Sequence, residues 1–373
     1  MAPKKKQTET KGKASASALG TKRKSTEKAE SSPPKKSQKG EKPKKEAATP
    51  ASQLPHEQKL ALLRYLLTPE ALAIAYPPIE PGKGEVDRPR SQQGPKPAPK
   101  RPKSEAANDS KSKQESASAP SYPSNLHLTP FQTLLISSLL SKPISHRLGL
   151  RSIATLFSPP YSYTTPQRLA DAGVEGRRAA LWDARTQHKE KTAEQLGSIV
   201  EGVSEMCEDT EEDREALGVV RGEAERLAAE EKGDSVASRR AAKSGITASL
   251  VEDIKGVGPG AVGIFMRRIQ NQWPSVFPYA DERSLKYAAE LGLMAMPELP
   301  GEHEKGEEAD EEREGKLFKG ADDLLALMQE SRKGQKDQYN DERDAFVRLL
   351  DVLIGLGLEK KTDEARKHVE EAK

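Results

Sequence analysis

Apolar residues recur at helical spacing through most of this chain, and no stretch alternates convincingly with period two. Leu60, Leu63, Leu66, Leu67 and Ile74 mark an amphipathic pattern broken at Thr68-Pro69, where Thr68 suits the N-cap of a second short helix. This predicts a helical arm over 54–76 that docks on a main domain. At Leu128-Thr129-Pro130-Phe131, Thr129 is a good N-cap and Pro130 fits a first turn; Leu134, Leu135, Ile136, Leu139 and Leu140 then make the helix apolar on nearly every side, so it should be buried. Helices are expected through Arg147 to Phe157, stopped by Ser158-Pro159-Pro160, and from Gln167 to Ala172 after Thr165-Pro166. One long helix is expected from Ala179 to Cys207, carrying Trp182, Ala193, Leu196, Ile199 and Val203. Leu285 to Leu293, Ala321 to Met328 and Phe346 to Leu358 complete an all-α fold class, the last apolar enough to enter the core.

Between these elements the pattern fades. Glu208 to Lys243 is rich in Glu, Ala and Arg with few large apolar residues, which predicts an exposed or partly disordered acidic insertion over about 208–243. The acidic run Glu302 to Glu314 reads as a solvated loop, a second insertion over about 300–316. Pro, Ser, Lys and Gln without periodicity fill a linker over 77–121, leaving a helical domain over 122–360 and a charged end over 361–373.

Composition sharpens this division. The chain has 373 residues but is only 34% hydrophobic and 32% charged, so the ordered part is smaller than the length suggests. Residues 1–50 hold 15 Lys plus Arg against 5 Glu, a net of +10 on a chain whose total is +3, which leaves −7 for the rest. Runs such as Lys4-Lys5-Lys6 and Lys42-Pro43-Lys44-Lys45 alternate with Ser, Ala and Pro, so no apolar face can form over 1–53. Such a disordered basic tail suits a nuclear import receptor and a sequence-independent hold on nucleic acid, and places the protein in the nucleus; a purely solubilising tail is the alternative. The first residues lack the apolar core of a secretory signal and no run of 18 apolar residues exists, so no membrane partner is expected. Cys207 is the only cysteine, which excludes an internal disulfide and a cysteine-ligated zinc or iron–sulfur centre. Six scattered histidines give no metal-ligand spacing, and no metal site is expected.

One segment has a spacing that implies chemistry. Ile254-Lys255-Gly256-Val257-Gly258-Pro259-Gly260-Ala261-Val262 joins the end of one helix to the start of another, and Phe277-Pro278-Tyr279-Ala280-Asp281 follows. Gly256, Gly258 and Gly260 can take φ > 0 and present N–H groups at a helix start, where the dipole favours an anion such as phosphate. The competing reading is an ordinary αα-hairpin whose glycines relieve sterics. Asp281 likewise suits the N-cap of a helix that begins at Glu282-Arg283-Ser284-Leu285.

Hairpin, downstream Asp and Pro-Phe helix together resemble the helix-hairpin-helix base-excision DNA glycosylase superfamily, which includes endonuclease III-like, adenine-glycosylase-like and 3-methyladenine-glycosylase-like enzymes; more narrowly, the combination is similar to that of a group of fungal nuclear proteins bearing this domain. The likeness covers about Leu128 to Leu293 without the acidic insertion. It implies a hairpin that holds double-stranded DNA by its phosphates through the backbone of Gly256, Val257, Gly258 and Gly260, with a place there for a monovalent cation, and a base flipped into a pocket. Asp281 would then stabilise an oxocarbenium-like sugar and orient water. Lys142, Arg267 and Arg268 would touch phosphates, although Arg267-Arg268 on an exposed helical face also suits plain solvation. Tyr161, Tyr163, Trp182 and Tyr279 would stack on a base or simply pack. Two departures matter: Gly260 stands where bifunctional members carry a Schiff-base lysine, which disfavours lyase chemistry, and Lys142-Pro143 replaces the usual Gln-Gln after the opening helix. The expectation is a monofunctional DNA N-glycosylase of base-excision repair, with a catalytically silent DNA- or chromatin-binding protein as the alternative.

Overall fold

The computed structural model describes residues 53–77, 128–207, 210–231, 235–301, 306–334, 339 and 341–371, and among these every regular element is helical. The expected basic tail and the linker lie outside the described residues. Hydroxyl residues start the helices much as their spacing predicts. The Thr68 hydroxyl separates α1 (His56–Leu66) from α2 (Pro69–Ala75) by accepting the Ala71 N–H. In front of α3 (Pro130–Leu140), Thr129 and Gln132 form a reciprocal capping box, with N···O distances of 3.2 and 3.3 Å. Ser145 caps α4 (His146–Phe157) and Thr165 caps α5 (Pro166–Asp171).

The single helix expected from Ala179 to Cys207 is two, α6 (Gly173–Asp183) and α7 (Lys189–Met206). Arg185 and His188 both turn to φ +53 between them, and the Arg151 guanidinium on α4 takes the freed Ala184 carbonyl at 2.7 Å. A tertiary donor at the helix end thus overrides a continuous helical pattern.

Residues 208–243 are not the exposed insertion their composition suggests. They contribute α8 (Glu211–Ala216), α9 (Gly218–Glu230) and the first half of α10 (Ser235–Glu252), and they bury Leu217, Val220, Ala224, Arg239 and Ala242. Small residues let α9 and α10 approach closely: a Cβ on Gly245 would stand 2.8 Å from Leu227. A face built from Ala and Gly buries little area per residue and so reads as weakly apolar, although it packs well.

After α10 come α11 (Pro259–Ile269) and α12 (Glu282–Glu290). The acidic stretch expected to be a loop enters the 26-residue α13 (Glu307–Arg332), where Arg313 pairs with Glu282 at 2.6 Å and Lys243 pairs with Glu314. Cations from α10 and from within α13, Lys243 on Glu314 and Lys316 on Glu312 at 2.7 Å, make a helical start there tolerable. α14 (Glu342–Glu359) is buried along most of its length, and the charged end forms α15 (Thr362–Glu371), pinned by buried Ala365.

The described core has two clusters. One gathers α3, α6, α7, α9, α10 and α11 around Phe131, Leu134, Ile199, Ile246 and Phe265. The other gathers α1, α2, α12, α13 and α14 around Leu62, Leu66, Leu285, Leu324 and Phe346. The expected docking arm is therefore core: Leu62, Leu63 and Leu66 are fully buried, each contributing on the order of 2 kcal/mol. Leu140 touches both clusters, and so places the end of α3 at their seam. None of the described helices is long and apolar enough to cross a membrane.

Candidate nucleic-acid interface

The glycine segment is a tight turn between α10 and α11. Ile254 and Val257 are buried and anchor it, while Gly256 and Gly260 are exposed at its outer edge. The Val257 N–H donates to the Ile254 carbonyl at 3.2 Å, and the Gly258 carbonyl accepts from Ala261 and Val262 at 2.9 and 3.1 Å, closing the first turn of α11. Of the three glycines only Gly256 takes positive φ, at +96°. Gly258 sits at the N-cap with φ −120°, which any residue adopts, and Gly260 is helical, so only Gly256 uses the left-handed freedom open to all three. Among the described residues the N–H groups of Gly258 and Gly260 donate to nothing. They point outward from an eleven-residue helix with Pro259 at its first position.

Two elements distant in sequence brace this turn. The Gln195 side-chain amide on α7 donates to the Gly256 carbonyl, and a Cβ on Gly256 would meet the Gln195 γ-carbon at 2.8 Å. Lys142, just beyond α3, donates in turn to the Gln195 side-chain oxygen. Burial and the neighbouring Lys191 push the Lys142 amine down to about 8. Lys142 therefore does stand beside the hairpin, though through Gln195. No spacing or motif marks Gln195 or Lys191 in the sequence, because their relevance comes only from α7 packing against the turn. The carbonyls of Ile254, Gly256 and Gly258, the oxygens that would face a monovalent cation at this turn, each accept at least one hydrogen bond.

Asp281 is the N-cap of α12. Its Oδ1 accepts the Ser284 N–H at 2.8 Å and the Ser284 hydroxyl at 2.5 Å, and its Oδ2 accepts from the Arg267 guanidinium at 2.5 Å. Arg267 and Arg268 do not lie on an exposed face: they are 4% and 1% exposed and pack with buried Asp351 from α14, 4.0 Å from each. They therefore cannot be the DNA contacts the sequence suggested. An α11 face that reads as a surface is covered here by α14, and the two buried guanidiniums face two carboxylates, Asp281 and Asp351. The loop bearing Asp281 is fixed as well. Gln270 holds the Tyr279 backbone at both N–H and carbonyl (2.8 and 2.9 Å), and Arg239, paired with Asp322, donates to the Pro278 carbonyl at 2.8 Å.

The aromatic candidates are not gathered in one place. Tyr161 and Tyr163 face each other, with ring centroids 5.6 Å apart; the Tyr161 hydroxyl donates to Asp183, and Tyr163 is buried. Trp182 is half-buried under the Lys189 ammonium, 4.6 Å from its ring. Tyr279 packs edge-on against Phe318, and burial raises its phenol well above the usual value. It lines a cleft of about 790 Å³ between α10, α11 and α13, together with Pro259, the carboxylates Glu252, Glu311 and Glu314, and the cations Arg240 and Lys243. Cys207 is buried, and among the described residues no His, Cys, Asp or Glu cluster could hold a metal.

Against models of known families, curated proteins and solved structures, the chain matches none. Function is therefore read from the geometry of the turn and of Asp281.

Proposed function

We propose that this chain binds duplex DNA without reading its sequence, holding a backbone phosphate at the N–H groups of Gly258 and Gly260, with the basic tail adding counterion-release affinity. Gly258 carries the reading. No atom lies within 4 Å of where a Cβ would be, so at this N-cap, where glycine is well suited, the backbone N–H is open to an external group.

The test compares full-length wild type with Gly258→Asp on a mixed-sequence duplex over a range of salt. Loss of affinity with an unchanged melting temperature is expected, since Asp suits an N-cap and should not disturb the fold. Equal binding by the two proteins would remove the hairpin from the interface.

A second reading, hydrolysis of an N-glycosidic bond, is favoured by one observation: the Asp281 carboxylate is still 19% exposed at the start of α12. Its oxygens are committed to Ser284 and Arg267, which opposes a free general base, and a silent DNA binder accords better with that arrangement. Duplexes carrying uracil, alkylated purines, 8-oxoguanine or mismatches, treated with alkali after incubation, decide it. Base release that disappears in Asp281→Ser, a variant that keeps a capping oxygen, while its melting curve shows the protein still folded, would establish the hydrolase.

A further inference from the structure

The cleft between α10, α11 and α13 follows one face of α10, where Ala237, Ala241, Ser244, Ala248 and Glu252 recur at helical spacing. From Ala237 to Glu252 that face runs for about 22 Å, the reach of roughly six or seven extended residues. Tyr279 on its lining is only 7% exposed, yet its two hydrogen bonds, both to Gln270, use the backbone. Among the described residues its hydroxyl donates to and accepts from no group, whereas a phenol this buried ordinarily has a partner. Gly263 on α11 leaves that hydroxyl uncovered, since a Cβ there would stand 3.7 Å from it. Charge along the cleft is unequal as well. Lys243 and Arg240 both pair with Glu314, the second at 3.8 Å, while Glu231, Glu252 and Glu311 pair with no cation among the described residues. Four carboxylates against two cations leave the lining at net −2.

We propose that this cleft receives an extended, Lys- and Arg-rich segment of a partner protein, whose basic side chains meet Glu231, Glu252 and Glu311 and whose backbone bonds the Tyr279 hydroxyl. Charge complementarity selects a basic ligand, and length selects a peptide. Glu231 just precedes α10 and Glu252 ends it, so one small cation cannot meet both. Small side chains at Ala237, Ala241, Ser244 and Ala248 let a backbone lie close against α10, and a hydroxyl that both donates and accepts suits a peptide group. Gly258, Gly260 and Asp281 do not line the cleft, so the inference stands apart from the DNA reading given above.

Full-length protein, Tyr279→Phe and the double variant Glu252→Gln with Glu311→Gln are titrated at several salt concentrations with a fluorescent peptide of about eight residues, Lys and Arg alternating with Ala. Tyr279→Phe removes an oxygen that bonds nothing inside the fold. It should weaken binding by about two- to tenfold, at an unchanged melting temperature and an unchanged dependence on salt. The double variant removes two carboxylates that hold no ion pair, so it should stay folded, bind about three- to tenfold more weakly and lose part of the salt dependence. Wild-type affinity in either variant would overturn the inference, as would failure of the full-length protein to bind the peptide. A lower melting temperature in Tyr279→Phe would overturn it too, by showing that the hydroxyl is already engaged within the fold. Spermine, titrated in parallel, should bind more weakly than the peptide; equal affinity would rule out the peptide in favour of a small polyamine.

Discussion

Gly256 and Gly258 stand two positions apart and answer to different demands. Gly256 is at φ +96° with the Gln195 side chain where a Cβ would go, so Gly256→Ala should destabilise the fold by about 1–3 kcal/mol, read by denaturant unfolding. Gly258→Ala, in open space at an ordinary φ, should change stability by less than about 0.5 kcal/mol. Asp281 also has a structural duty. Its replacement by Asn removes the carboxylate bonded to the buried Arg267 guanidinium, leaving Asp351 at 4.0 Å, and should cost on the order of 2 kcal/mol, so lost activity in that variant is interpretable only beside a melting curve. His146, at the start of α4, is held neutral by burial, an effect that the Glu359 carboxylate 4.0 Å away opposes but does not cancel; its imidazole is pushed down to about 4. The unfolded chain then takes up the proton first. His146 should cost stability as pH falls from about 6.5 toward about 4, by roughly 3 kcal/mol in all, and His146→Gln should remove that part of the acid limb. Unfolding of both proteins at neutral pH and near pH 4 measures the difference.

Helices pack here through small residues as much as through large ones. Gly355 on α14 lies where a Cβ would come within 2.7–2.9 Å of Ala75 and Tyr76, and Gly357 is closed over by the Tyr287 ring. The Tyr76 hydroxyl also donates to the Asp351 carbonyl at 2.9 Å, so α2 is seated on α14 by both shape and hydrogen bonding. Gly355→Leu should push α1 and α2 off the second cluster and lower the melting temperature; an unchanged value would mean that this seat is dispensable. Thr68, Thr129 and Thr165 make their helix starts legible in the sequence, because a cap and its proline act over three or four residues. The break between α6 and α7, and the burial of α9 and α10, were not legible. The first depends on Arg151 arriving from α4, and the second on a complementary small-residue face supplied by a partner helix.

Taken as a whole, the chain places its two oppositely charged parts in different segments. A tail of net +10 precedes a remainder of −7. Deleting residues 1–50 should lower affinity for duplex DNA and flatten its dependence on salt; an unchanged slope would exclude the tail as a nucleic-acid arm. The all-helical class, the caps, the glycine turn and the spacing to Asp281 could all be read in the chain, because each rests on interactions between residues close in sequence. That Arg267 and Arg268 are buried, that Asp281 is paired, and that Gln195 and Lys142 stand behind Gly256 could not be. Those facts depend on which helix covers which face, and that choice is made by the packing of two clusters whose members are separated by up to hundreds of residues.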